Sequence, residues 1–404
     1  MSTVVLIHGT GVRRPGFSAL AGHVTAGLTA VHDGLRLVPY YWGETYGARL
    51  AAGGASLPPE EGIHRGIGED FVVAQPTASD RDDDVAAWAV RYADPDAELA
   101  LAAAGGSAER PPGSDLSEQH IQERLTVLTA RGDDLAVEWG TEAMVAVAGL
   151  RTELNQAAVR MRVHPLLGPA ADALGQDALA SLVARALVAH AVAAALDSGN
   201  PLIPDGYLRD AIVDHLAQDL GAAPDGSERG VRTRLLGWAG AAASHAVVRR
   251  RRALTQAAHP AAGDVLRYLS RGQDVRADLR ALLADLESPV TLIGHSLGGV
   301  IALDTLVTTA LPQVRLLVTV GSQGPFLYES GSLPSLVHPD PLPAHVPDWL
   351  NVYDPRDLLS YLGAGLFPGR VTDAAVESRQ PFPAAHSAYW TNPDVYRLIA
   401  ERLP

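Results

Sequence analysis

Six consecutive residues, Gly294-His295-Ser296-Leu297-Gly298-Gly299, hold a serine hydroxyl in a pattern suited to covalent chemistry. A neutral serine hydroxyl is a poor nucleophile, so such chemistry also needs a base to take its proton and an acid to orient that base. The G-x-S-x-G spacing supplies the first requirement, exposure of the reacting atom. Small residues at 294 and 298 let neighbouring chain pass close to a sharp turn, and the strained turn projects Ser296 Oγ outward. No G-x-x-x-x-G-K-[ST] pattern occurs and no lysine follows Gly298-Gly299, which excludes a phosphate-cradling loop of that type.

The partners of a serine in this turn are expected in the chain order serine, acid, histidine. Two acids stand just past an apolar run in Asn351-Val352-Tyr353-Asp354-Pro355-Arg356-Asp357. Asp357 is preferred because a short turn beyond the run lets it reach back, while Asp354 suits capping the turn before Pro355 and remains the alternative acid. His386 is the only histidine after this pair and lies in Pro383-Ala384-Ala385-His386-Ser387-Ala388-Tyr389, which reads as a loop. His338 and His345 precede the acids in a proline-rich stretch and read as loop residues; His295 reads as structural. Backbone N–H groups must meet the charge that develops on an attacked carbonyl. Leu297 is one expected donor, with Thr10 and then Gly11 in the early turn His8-Gly9-Thr10-Gly11 as the second. His8 reads either as a brace for that turn or as a buried polar residue satisfied by backbone.

These residues need strands and helices to carry them. Val290 to Ile293 reads as a buried strand, and Val300, Ile301, Leu303, Leu306 and Val307 keep helical spacing after the turn. Further strands are expected at Val4 to Ile7, Leu37 to Tyr41, Val314 to Val320, Leu350 to Tyr353 and Val371 to Glu377. Helices are expected at Val265 to Leu286 and Tyr396 to Leu403. This alternation predicts an α/β fold with a mostly parallel sheet covered on both faces. Gly43 to Gly113 reads as mainly irregular, with acids at Asp80 to Asp84 and the turn signal Arg110-Pro111-Pro112-Gly113. From Ser117 to Arg252 the pattern turns helical, with segments starting at Ser117-Glu118-Gln119-His120 and covering Asp172 to Asp197, Tyr207 to Leu220 and Gly230 to Arg252. The expected division is a core of 1–44 and 262–404 interrupted by a mainly helical insertion, 45–261.

Composition limits the remaining classes. The 404 residues are 47% hydrophobic and 19% charged, enough apolar surface for a large packed core. A net charge of -14 argues against a nucleic-acid partner, which calls for a concentrated basic face. With no cysteine, disulfides, thiolate metal sites and a cysteine nucleophile are excluded. Met1-Ser2-Thr3 leads straight into four apolar residues with no basic segment, and no run reaches the ~18 apolar residues of a membrane span. A cytoplasmic protein is therefore expected. Leu235-Leu236-Gly237-Trp238-Ala239-Gly240-Ala241-Ala242-Ala243 followed by Arg249-Arg250-Arg251-Arg252 suggests a membrane-surface helix. Its apolar part is short, and arginines at a helix C-terminus suit the macrodipole without any membrane, so peripheral membrane contact is the lesser reading.

The chain resembles the α/β-hydrolase superfamily, in particular its lipase-like branch with an HG loop near the N-terminus. The matching pieces are Leu6-Ile7-His8-Gly9-Thr10-Gly11, Gly294-His295-Ser296-Leu297-Gly298-Gly299, Thr319-Val320-Gly321-Ser322, Asp354-Pro355-Arg356-Asp357 and His386-Ser387-Ala388-Tyr389-Trp390. They cover the first and last parts of the chain, while the middle third resembles nothing. The resemblance implies a serine hydrolase acting on an ester or thioester of a small-molecule acyl substrate through an acyl-enzyme. Ser296 would attack, His386 carry the proton and Asp357 orient the imidazole, with no metal or organic cofactor. It also implies that the helical insertion lies above the sheet as a cap or lid. Two other readings stand beside it: a catalytically silent scaffold used for binding or signalling, and a peptidase or amidase. Nothing in the sequence assigns an oligomeric state.

Overall fold

A computed structural model describes residues 2–14, 16–49, 80–104, 114–130, 145, 148–223 and 262–404. Six strands form one sheet: β1 (Ser2–Ile7), β2 (Leu35–Tyr40), β3 (Val290–His295), β4 (Val314–Val320), β5 (Asp348–Tyr353) and β6 (Val371–Ala375). All neighbours are parallel and the order is β2-β1-β3-β4-β5-β6. Parallel strands need crossovers that cover the sheet, which is why β1 and β3 are buried along their whole length. The chain order reverses between β1 and β3, so the connections leaving these two neighbours diverge. A crevice outside the carboxyl ends of the strands opens at such a point.

The alternation of side chains along each strand builds two cores. Val4 and Leu6 of β1 face the helix α1 (Gly16–Val31) through Leu20, Val24 and Leu28, together with Val318, Leu350 and Val352. Val5 and Ile7 face the opposite way.

After β2 the chain leaves the sheet for a run of helices: α2 (Asp80–Ala93), α3 (Ala97–Ala104), α4 (Ser114–Ala130), α5 (Arg151–Met161), α6 (Leu167–Ala173), α7 (Gln176–Asp197) and α8 (Gly206–Asp219). They share a third core built around α7, with Trp88, Leu99, Ile121, Leu154, Leu187 and Ile212 among its members. The chain then returns to the sheet through a helix over 262–271, α9 (Gln273–Ala284) and, after β3, α10 (Leu297–Thr308). Leu279 and Leu283 of α9 and Val300, Ile301 and Leu303 of α10 complete the core on the Val5 side of the sheet. After β4 comes α11 (Gly324–Glu329). The chain ends with α12 (Ala384–Ser387), a 3-10 turn at Ala388–Thr391 and α13 (Pro393–Ala400), whose Val395 and Ile399 join the α1 side.

Several elements differ from the sequence reading. The acidic run 80–84, read as irregular, opens α2, and Trp88 and Tyr92 follow on one buried side of that helix. The segment 172–197 divides at Gly175 into α6 and α7, and 265–286 divides at Gly272. The expected helix over 230–252, its basic run and the 110–113 turn lie outside the described residues. α7 is long and apolar enough to cross a membrane, a length the sequence reading did not find. Fourteen of its residues are buried against neighbouring helices, so its apolar character has a packing cause.

Candidate active site

Ser296 stands alone between the last residue of β3 and the first of α10, with φ 53° and ψ −124°. A non-glycine residue at positive φ is strained backbone, held only where its surroundings dictate it. Here the surroundings are tight. A Cβ at Gly294 would lie 2.5 Å from the Gly299 nitrogen, and one at Gly298 would meet the Ile7 carbonyl oxygen. The Ser296 N–H donates to the Val320 carbonyl at 2.9 Å, and its own carbonyl accepts from Ser322 Oγ at 3.0 Å. The elbow is thus fastened to β1 on one side and β4 on the other.

Three side chains from three segments meet in a hydrogen-bonded line. Ser296 Oγ lies 3.0 Å from His386 Nε2, and His386 Nδ1 lies 2.8 Å from Asp357 Oδ2. Ser296 follows β3, Asp357 follows β5 and His386 lies on α12 beyond β6, so the line gathers residues from beyond the carboxyl ends of three strands of one parallel sheet. The buried Asp357 carboxylate also accepts from the Tyr389 hydroxyl at 2.9 Å and the Leu359 N–H at 2.9 Å. Burial raises its pKa, but His386 and these two donors outweigh that and hold it below the ordinary value. Tyr389 accepts the Asp354 N–H at 3.0 Å; burial and the Asp357 charge push its phenol up. Asp354 turns away from this line. Its carboxylate accepts the N–H groups of Arg356 at 2.8 Å and Ser378 at 2.7 Å, the duties of a turn cap.

Other histidines have different partners. His295 Nε2–H donates to the His386 carbonyl at 2.8 Å, so the residue before the serine grips the backbone that carries the second ring. Burial, then the neighbouring His386, lowers the His295 pKa to about 3 and keeps it neutral. His345 donates to the Leu306 carbonyl, and His338 packs edge-on against Tyr328.

The turn after β1 also reaches the elbow. A Cβ at Gly9 would lie 3.0 Å from Ser296 Cβ, so the two segments touch. His8 donates from Nδ1 to the Gly9 carbonyl at 2.7 Å, and its Nε2 accepts the Trp42 and Gly43 N–H groups, each at 3.2 Å. Burial lowers its pKa to about 3, so this neutral tautomer stands as a fixed brace. The Gly11 N–H already donates to Asp264 Oδ2 at 2.8 Å. Among the described residues, the Thr10 and Leu297 N–H groups have no hydrogen-bond partner. Gly11 is therefore occupied, and the other two expected amides are unengaged.

Sequence reasoning did not pick out three neighbours of this site. Tyr389 was only part of a matching string. Gln323 places Nε2 3.4 Å from Ser296 Oγ and donates to the Leu359 carbonyl at 2.9 Å. Gln380, in the segment leading to His386, accepts from the Tyr92 hydroxyl at 2.9 Å and Arg209 Nη1 at 3.3 Å, and donates to the Pro204 carbonyl at 2.5 Å. That segment is thereby tied to α2 and α8. Among the described residues, no three His, Asp or Glu side chains are grouped to hold a metal ion. Comparison with protein-family models, with curated proteins and with solved structures gave no match for this chain.

Proposed function

We propose that this protein is a serine hydrolase of the α/β-hydrolase type that cleaves a carboxylic ester or thioester of an apolar acyl group through an acyl-enzyme. The observation that carries the reading is the line Ser296 Oγ, His386 Nε2, His386 Nδ1, Asp357 Oδ2, at 3.0 Å and 2.8 Å, set on a strained serine between strand and helix. A structural serine has no need of that combination.

In this reading Ser296 Oγ attacks the substrate carbonyl while His386 Nε2 takes its proton, and Asp357 stabilises the imidazolium that forms. The carbonyl oxygen gains charge and accepts from the Leu297 and Thr10 N–H groups. On collapse His386 returns the proton to the leaving alcohol or thiol, and the acyl group stays on Ser296. Water then attacks with His386 again as base, releasing the acid and restoring the serine. Gln323, within reach of Ser296 Oγ, contacts the leaving group or the incoming water. The helices between β2 and β3 serve as a cap that shapes the acyl site.

The test is labelling of the purified protein by a fluorophosphonate, read by intact mass and peptide mapping. One adduct on Ser296 is expected, absent from folded Ser296→Ala and His386→Ala variants. A folded wild type that takes no label would sink the proposal.

A further inference from the structure

Asp264 lies on the helix over 262–271 and is 1% exposed. Its carboxylate takes four donors, all from two loops at the carboxyl end of the sheet. Oδ2 accepts the Gly11 N–H at 2.8 Å and Arg13 Nη1 at 3.1 Å; Oδ1 accepts Arg13 Nη2 at 2.9 Å and the Ala48 N–H at 2.5 Å. Arg13 continues the net, donating to the carbonyls of Val12 at 3.0 Å and Ala48 at 3.2 Å. One two-pronged ion pair thus ties the turn after β1 to the loop after β2.

The position of that pair matters more than its strength. Asp264 is buried but the Arg13 side chain is partly exposed, and such a pair adds little stability by charge alone, so it is better understood as fixing a register. Here the register is that of Thr10. On one side of it Gly9 is pressed against Ser296 and braced by His8. On the other side Gly11 is held through its N–H by Asp264. The chain is pinned at both neighbours, and among the described residues the Thr10 amide between them has no hydrogen-bond partner.

We propose that Asp264 and Arg13 are positioning residues for the oxyanion site: they hold the turn after β1 so that the Thr10 N–H stays aimed at the carbonyl oxygen of the substrate. The inference rests on the serine-hydrolase reading above. Neither residue touches substrate. Their effect passes through a backbone amide whose direction must be set before charge develops, because a donor that must first reorient loses most of its advantage.

The experiment compares wild type with Asp264→Asn and Arg13→Lys, using a 4-nitrophenyl ester and the matching thionoester. In the thionoester, sulfur replaces the oxygen that would enter the oxyanion site. Asp264→Asn keeps one acceptor and loses the charge; Arg13→Lys keeps the charge and loses the two-pronged geometry. Losing one oxyanion donor lowers kcat about 10²–10³-fold, which sets the expected scale for Asp264→Asn, with KM nearly unchanged. The preference for ester over thionoester should shrink in step. Arg13→Lys should fall between, and it answers the question if Asp264→Asn does not fold. A folded variant with unchanged kcat and unchanged ester preference would overturn the proposal. So would a loss in kcat that leaves the ester preference intact, which is what a purely structural role produces. A wild type that takes no fluorophosphonate label removes the reading beneath the proposal, and the proposal with it.

Discussion

Buried polar groups are handled differently at the sheet edge and in the helical region between β2 and β3. At the sheet edge they sit on loops at strand ends and include neutral rings: His8 and His295 are both held uncharged, and each grips backbone. In the helical region they are ions on helices. Glu98 is 3% exposed and accepts from Arg91 at 2.6 Å and Arg185 at 2.8 Å. Arg209 pairs with Asp84 at 3.2 Å and with Asp210 at 2.7 Å. The contrast follows from what each region must achieve. Loops have many backbone conformations and need directional ties to keep one. Alanine-rich helices such as α7 can slide along smooth faces, and a buried ion pair penalises every register but one.

The largest expected effect that sharpens this comparison lies within the sheet edge. Asp357→Asn should lower kcat by about 10⁴-fold with the fold intact, because the ring loses its orienting partner. Asp354→Asn, in the same loop, should leave kcat within about tenfold and reduce stability instead, since its oxygens serve only a turn. Steady-state kinetics beside urea unfolding separates the two; equal losses of kcat would undo the distinction between acid and cap.

Across the two regions the expected effects reverse. Glu98→Ala removes the carboxylate shared by two buried guanidinium groups, and breaking such a pair costs about 3–5 kcal/mol. Urea unfolding should register the loss, while Ser296 in the protein that stays folded should take a fluorophosphonate at the wild-type rate. A slowed rate would mean that the helical ions also set the site.

A smaller effect is expected for Tyr389→Phe, which removes one of three donors to the Asp357 carboxylate. A hydrogen bond to a charged group is worth about 1.5–3 kcal/mol, and with His386 and Leu359 remaining the expected fall in kcat is on the order of tenfold. The last effect is a slope. His8 and His295 take up protons only near pH 3 in the fold but near 6.5 when unfolded. Between those values the unfolded chain holds more protons, so stability falls as pH falls, by about 1.4 kcal/mol per pH unit for each ring. Urea midpoints from neutral to mildly acid pH should show this, and His8→Gln should remove one ring's share. An unaltered slope in that variant would mean the acid sensitivity lies elsewhere.

Much of the sheet and of the Ser296 line was legible because it rests on local rules. Apolar runs marked the strands, glycines at 294 and 298 marked a close crossing, and chain order ranked Asp357 and His386. The missed parts are those where distance in sequence hides distance in space. Asp264 is a lone acid some 250 positions from Gly11, and no spacing rule connects them. The acids at 80–84 resembled a turn because the run is polar in sequence, and the apolar residues Trp88 and Tyr92 that mark the buried side of α2 come only further along. α7 has no polar stripe to betray its rotation, since it is surrounded by other helices. Gly11 was a reasonable second amide until its engagement by Asp264 was visible.

The tie through Gln380 bears on how the chain can be cut. Every residue of the Ser296 line lies after position 290, which invites a minimal protein made by deleting the helices between β2 and β3. Such a truncation would keep Ser296, Asp357 and His386 but strip Gln380 of Tyr92, Arg209 and Pro204, three partners of the segment that leads to His386. The histidine would then hang from a tether anchored only in the sheet. The helical region is in this sense a foundation for one of the three side chains, and a shortened protein would have to rebuild that footing first.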